Sequence, residues 1–357
     1  MTLSIVGALL VRSGLVVYCA GTARAKFVAS ALVRILVDFS ISAAASYLAF
    51  RFLSQNDRAI GAERALLAAT LATGFAVSSL GERTKLSVSL RLSVLVAVTG
   101  SLIAVATTKL TDPSTWRFML LVMISACSAG LAAAKLVGPR EGRYHRDGSS
   151  SVFPSHNLPL QTIGAMLLLA GALLILQQVQ GLFVPAIAIG ISAAISTWKF
   201  GKIDPFMILI ALAAGIPMLL APLPPNNRAD AFVLAGLAAG GLGPLVFLWV
   251  ETKLRIDDAA GLCAPVLLSA IGWYAACDLI HVMTGHGDIE YWVHGAILLV
   301  ASVFAGLFAG ALAVRSVANP QASEADVYDG LDLAEHDVNA YPDFQQTMIK
   351  SFHLRER

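Results

Sequence analysis

An all-α, polytopic membrane protein is the fold class this sequence predicts, on three observations. Of 357 residues, 57% are hydrophobic, only 13% are charged, and the apolar residues gather into long runs bounded by charge clusters. An ordinary soluble domain carries about a quarter charged residues. A soluble enzyme, a nucleic-acid-binding protein and a disordered chain are therefore excluded as classes, and a mean hydropathy of +0.73 agrees. A net charge of +2, from 25 Lys+Arg against 23 Asp+Glu, is too small to imply nucleic acid or an acidic partner.

A membrane-crossing helix needs about 20 apolar residues. Runs of that kind place helices near 1–22, 27–50, 60–80, 86–108 and 116–137. After a polar link, six more follow near 158–178, 181–198, 205–221, 231–250, 259–283 and 291–314. The first run lacks the basic start of a secretory signal and is interrupted by Arg12, so it is expected to stay attached.

Every second connection collects Arg24, Lys26, Arg83, Lys85, Arg140, Arg143, Arg146, Lys199, Lys202, Lys253 and Arg255. The opposite connections carry fewer basic residues, so the positive-inside rule makes the first set cytoplasmic, with the N-terminus outside and the tail inside. Trp116, Trp198, Trp249 and Trp292 fall at predicted span ends, the level where amphipathic rings settle.

The segment 138–157, rich in Arg, Gly and Ser, divides the chain into a first five-helix half, 1–137, and a second, 158–283. An eleventh helix within 284–317 and a cytoplasmic tail, 318–357, complete it. Two halves with odd helix numbers must insert with opposite topology, as in transporters built from inverted repeats. The four cysteines lie in apolar runs without metal-ligand spacing and read as small core residues. No metal or cofactor site and no enzyme chemistry is expected.

Five local strings, in order along the chain, resemble the ammonium transporter (Amt/Mep/Rh) family. They are Tyr18 to Lys26 at the first turn, Gly81 to Ser87 after the third span, and His156-Asn157-Leu158-Pro159-Leu160 entering the sixth. Lys253 to Gly261, with its Ile256-Asp257-Asp258 core, enters the tenth span, and Gly330 to Tyr341 lies in the tail. The strings also have local physical sense: Asn157 is a helix cap with Pro159 in the first turn, and Asp257 and Asp258 precede a helix whose dipole favours negative charge.

The resemblance implies an eleven-helix channel with two facing histidines in mid-membrane, phenylalanine gates and an aromatic cation site outside them. Carried onto this sequence, the histidine positions are Met123 and Val266, the gates fall near Ala68 and Ile175, and a family carboxylate falls on Thr115. The polar equipment of the pore is thus missing, and the link Ser54–Ile60 is short where the family builds a vestibule. An apolar tube strips a cation's hydration without replacing it, at several kcal/mol or more.

Other polar groups lie at membrane depth. Arg34 and Asp38 are one turn apart in the second span, Arg91 lies in the fourth and Arg12 in the first. An Arg34–Asp38 pair, extended to Arg91, is expected to line a polar route or to fix the first-half helices, with Arg12 and Arg91 snorkelling as the simpler alternative. Asp278 reads as a solvated span end, and His145 and His156 as solvated loop residues.

The functional expectation is passive movement of ammonium, ammonia or a related small solute through a pore in each subunit of a trimer, in a bacterial inner (plasma) membrane. The alternative is a non-conducting regulatory subunit, in a homotrimer or a mixed Amt trimer, whose tail engages a PII-type signalling protein; Gly330 and Asp332 are the tail positions the resemblance points to.

Overall fold

The computed structural model describes residues 2–341 apart from 54–61, 111–114, 146, 148, 152–154, 178, 221–227 and 284–288. The short link Ser54–Ile60 and the tail beyond Tyr341 lie outside the described residues.

Long helices cover every apolar run. The first half has α1 (Thr2–Thr22), α2 (Val28–Leu53), α3 (Ala62–Ser78), α4 (Leu86–Leu110) and α5 (Thr115–Val137). The second has α6 (Leu158–Leu176), α7 (Phe183–Phe200), α8 (Pro205–Leu220), α9 (Arg228–Trp249) and α10 (Cys263–Met283), followed by α11 (Ile289–Arg315). Two tail helices of six residues, α12 (Glu324–Asp329) and α13 (Leu331–His336), complete the chain. Among the described residues no β-strand forms; two isolated β-bridges are the only extended pairings. Among the described residues, nine of the long helices are long and apolar enough to cross a membrane, whereas the apolar part of α3 and all of α8 are shorter.

Helix ends follow local chemistry. The Asn157 side chain accepts from the Leu160 N–H at 2.9 Å and caps α6, with Pro159 in its first turn. The tenth apolar run begins at 259, but α10 starts only at Cys263, because Gly261 takes a positive φ of 69° and Asp258 accepts the Ala264 N–H at 3.0 Å. In the tail, Ser323 and Asp326 form a reciprocal capping box on α12.

The packing repeats with a period of five helices. Within the first half α2 touches α3 and α4, and α5 touches α3 and α4. Within the second, α7 touches α8 and α9, and α10 touches α8 and α9. Also within the halves α1 with α3 matches α6 with α8, and between them α5 with α8 matches α10 with α3. At the centre α1 lies along α6 in very close contact. A Cβ on Gly14 would fall 2.6 Å from the Leu168 amide nitrogen, and one on Gly21 2.5 Å from that of Gln161. Small residues permit this approach where apolar burial gives helices no reason to associate in lipid.

Candidate functional site

Three of the four sequence-predicted pore positions meet. Met123 of α5, Ala68 of α3 and Ile175 of α6 line one inner cavity together with Val11, Phe75 and Ile216, all apolar. The space open to the centre of a water-sized sphere is about 20 Å³, room for about one water. Val266, in the first turn of α10, is fully buried but does not line this cavity. Thr115 opens α5, and its side chain lies outside the described residues.

A second, more polar pocket lies toward the tail. It is lined by Cys19, Ser30, Arg34, Ser78, Glu82 and Arg140, among others. On α1, Val11 borders the inner cavity and Cys19 the tail-side pocket. Leu15, one turn from each, is fully buried and packs on α3 at Gly74. From α3, Phe75 borders the cavity, and its carbonyl accepts the Cys263 thiol at 2.9 Å. Leu15 and Phe75 therefore stand where a route between the two spaces would run.

The intramembrane charges pair differently from the expectation. Arg34 and Asp38 share a helix face, yet no ion pair forms between them. Asp38 pairs with Arg12 of α1 and accepts from Thr73 of α3 at 3.2 Å. Arg12 does not snorkel: it is buried, with a guanidinium nitrogen where a Cβ on Gly74 would stand. Arg34 turns the other way, to Glu335 of the tail at 3.0 Å, and Arg91 donates to the Ser316 carbonyl at the end of α11. The reason is reach. The buried Arg12 and Arg34 span to a carboxylate on a neighbouring helix or in the tail, since a buried charge must find a countercharge, whereas Arg91 stays exposed and reaches only a main-chain carbonyl.

Asp278 is not a solvated end. It is buried and paired with the fully buried Arg117 of α5, whose guanidinium lies 3.5 Å from the centre of the Tyr291 ring. A Cβ at Gly295 would strike the Asp278 carboxylate, so α11 carries glycine there. Arg117 and Asp278 are 161 positions apart, and no local signal links them.

His156 is not free in its loop either. Its Nδ1 lies 2.6 Å from the Ala23 carbonyl and its Nε2 2.8 Å from the Tyr341 hydroxyl, tying the first turn to the tail. His145 does sit at the surface, 2.6 Å from the Ser151 hydroxyl.

The Ile256-Asp257-Asp258 string forms a charge clamp. Asp257 accepts from Arg83 at 2.6 Å and from Arg140 through three contacts of 2.9–3.0 Å. Burial pushes its carboxyl up, but the Arg140 and Arg83 guanidiniums outweigh that and hold it at about 2. Burial raises neighbouring Asp258 to about 6, with the Asp257 charge adding to the rise and the Ala264 and Cys263 N–H groups and Arg83 working against it. Burial lowers Arg83 to about 10 despite Asp257. The clamp joins the turn after α3, the segment after α5 and the approach to α10, which lie in different halves.

The tail docks on the first half. Gly330, at a positive φ of 101°, turns the chain between α12 and α13 and leaves no room for a Cβ against the Lys26 backbone. Asp332 accepts the Ser30 N–H at 2.7 Å, and Leu331 packs with Phe27 and Val28. Among the described residues, no cluster of His, Cys, Asp and Glu has the geometry of a metal site.

The family model described as Ammonium Transporter Family matches residues 59–341. The chain belongs to the ammonium transporter family. It is similar to Ammonium transporter Amt1 of Haloferax mediterranei, 28% identical over 252 residues, which is 60% of this chain and 47% of that protein. Ammonium transporter Amt2 of Archaeoglobus fulgidus is 29% identical over 246 residues, 60% of this chain and 52% of that one. The chain spans about half the length of the curated relatives it matches. Among solved structures, a Sensor Amt Protein superposes with a TM-score of 0.77 at 17% identity, covering 94% of this chain and 97% of that one. The Rh50 structure of Nitrosomonas europaea superposes at 0.69 and 12% identity, covering 100% and 97%. This ammonium transporter family member thus shares the all-helical membrane fold of its relatives, with apolar side chains where its inner cavity lies.

Proposed function

We propose that this chain is an Amt-like membrane transport protein, passing a small neutral solute such as ammonia, and not a hydrated cation, along a route through the inner cavity. The observation that carries the reading is the convergence of Met123, Ala68 and Ile175 on one apolar space with room for about one water. A cation entering it would lose its hydration to side chains that offer no acceptor. Val266, which does not line the cavity, is read as a further pore position beside it on α10, and Thr115 as the position where the family's carboxylate is replaced. In this reading all eleven long helices cross the membrane, with the N-terminus outside and the tail in the cytoplasm. The halves 1–137 and 158–283 are inverted repeats, a reading supported by the five-helix period of the packing. The short α3 and α8 occupy matching positions in the two halves and both border the cavity.

The test is methylamine and ammonia flux into proteoliposomes holding the purified chain, recorded together with current. Flux above empty vesicles without current is expected. Flux no greater than in empty vesicles would sink the reading.

One observation favours a second reading: the buried Leu15 and Phe75 stand between the cavity and the tail-side pocket while Asp332 and Glu335 of the tail are docked on α2. In it the chain does not conduct and acts as a regulatory subunit, in a homotrimer or a mixed Amt trimer, with Gly330 and Asp332 setting the tail for a PII-type protein. Co-purification of an Amt partner or a PII protein, with flux absent, is its expected result. A homotrimer that binds neither would count against it.

A further inference from the structure

The Glu335 carboxylate occupies a site whose chemistry is more general than a tail contact. Its two oxygens accept from Arg34 at 3.0 and 3.2 Å, from the Ser30 hydroxyl at 3.1 Å, and from the N–H of Leu86 at 3.0 Å. Leu86 opens the 25-residue α4, so that N–H belongs to a helix start, where the dipole and the unsatisfied donors favour an anion.

The cationic centre is held in place without the tail. Thr84 receives Arg34 Nη1 on its hydroxyl at 2.7 Å and Nη2 on its carbonyl, the Ser89 hydroxyl lies 3.3 Å from Nη1, and Nε donates to Ser30 at 3.0 Å. All of these partners are neutral. Among the described residues, Glu335 alone gives Arg34 a countercharge. With the tail docked, only 4% of Arg34 and 2% of Ser30 are exposed, and departure of Glu335 would leave the guanidinium with neutral partners and no countercharge, which is unfavourable. An anion in place of the carboxylate would restore that countercharge. A way in exists, since Ser30 and Arg34 also line the tail-side pocket.

We propose that Arg34, Ser30 and the start of α4 form an exchangeable oxyanion site, occupied in cis by Glu335, and that a dissolved anion of the phosphate class competes for it and releases α13. Phosphate suits the donor set because it offers several acceptor oxygens to a guanidinium, a hydroxyl and a backbone N–H at once. Competition follows from occupancy of one place: the anion and Glu335 cannot both sit on Arg34. The inference concerns the tail and stands whether or not the inner cavity conducts.

The experiment uses the full chain in nanodiscs, with hydrogen exchange of residues 324–336 as the readout and inorganic phosphate as the probe. Phosphate is expected to raise exchange there several-fold and saturably, while chloride at equal ionic strength does not. Glu335→Gln should lower the phosphate midpoint severalfold, because the competitor is weakened. Arg34→Gln should leave exchange high and insensitive to phosphate, and Ser30→Ala should raise the midpoint, which serves if Arg34→Gln does not fold. A response equal for phosphate and chloride, or a full response in both Arg34→Gln and Ser30→Ala, would overturn the proposal. So would release that follows the change from phosphatidylcholine to phosphatidylglycerol nanodiscs and ignores dissolved phosphate, since the anion would then be a headgroup.

Discussion

Arg12 of α1 and Asp38 of α2 pair across the first-half bundle with side chains 4% and 0% exposed, beside the notch in α3 that Gly74 leaves open. Removing either charge alone leaves the other buried without a partner, and a broken buried pair is worth about 3–5 kcal/mol. Asp38→Asn and Arg12→Met should each lower the melting temperature in detergent markedly. The double variant Arg12→Met with Asp38→Leu should recover most of the loss, because an apolar pair of similar volume is often neutral. If the double variant is as unstable as the sum of the singles, the pair is not the source of the stability.

The clamp at Asp257 predicts a pH dependence with a definite sign. Its folded-state pKa of about 2 lies below the ordinary value of about 3.9. Its contribution is therefore present above about pH 4 and is lost as pH falls toward 2, and a shift of that size is worth about 2–3 kcal/mol. Asp257→Asn should be less stable than the parent at pH 7, with the gap closing toward pH 3. Asp258 has the opposite sign: raised to about 6, its charged form is penalised at pH 7. Asp258→Asn keeps the cap on α10 and should gain stability above pH 6. Thermal unfolding of the three proteins between pH 3 and 8 checks both.

How far the sequence reaches can be judged from these same residues. Each apolar run announced its helix because its length and bounding charges are local properties; the run near 86–108 became Leu86–Leu110, and that near 158–178 became Leu158–Leu176. Hydropathy starts α10 too early, because Asp258 and Gly261 set its beginning through a turn. Met123, Ala68 and Ile175 lie in different helices and could be brought together only through the family resemblance, not through spacing. The partners of Arg12, Arg34 and Arg117 were hidden for a simpler reason. They are 26, 301 and 161 positions away, and a one-turn neighbour such as Asp38 is a more visible candidate for Arg34 than a tail glutamate.

Leu15 tests the route directly. If it separates the inner cavity from the tail-side pocket, Leu15→Ala should join the two spaces and raise ammonia permeability of proteoliposomes, read as the rate of internal pH change after an ammonium jump. The same truncation removes a fully buried side chain and should cost about 2–5 kcal/mol. A variant that folds and is destabilised in this range, yet shows no faster pH change, would place the barrier elsewhere.

The seat of α11 rests on two glycines. A Cβ on Gly306 would strike the Ser125 carbonyl, and one on Gly310 the Ala129 carbonyl, so α11 lies directly on the backbone of α5. Both obstacles are main chain, which cannot move aside as a flexible side chain can. Gly306→Ala and Gly310→Ala should therefore force the helices apart and destabilise by at least the 1–3 kcal/mol typical of overpacking. A Cβ on Gly272 in α10, by contrast, would stand in open space, with no neighbouring element within 4 Å. Gly272→Ala should be neutral or stabilising by up to about 1 kcal/mol through helix propensity alone. Melting temperatures of the three single variants decide it. Equal effects at 272 and 310 would mean that close α5–α11 contact is not what glycine provides there.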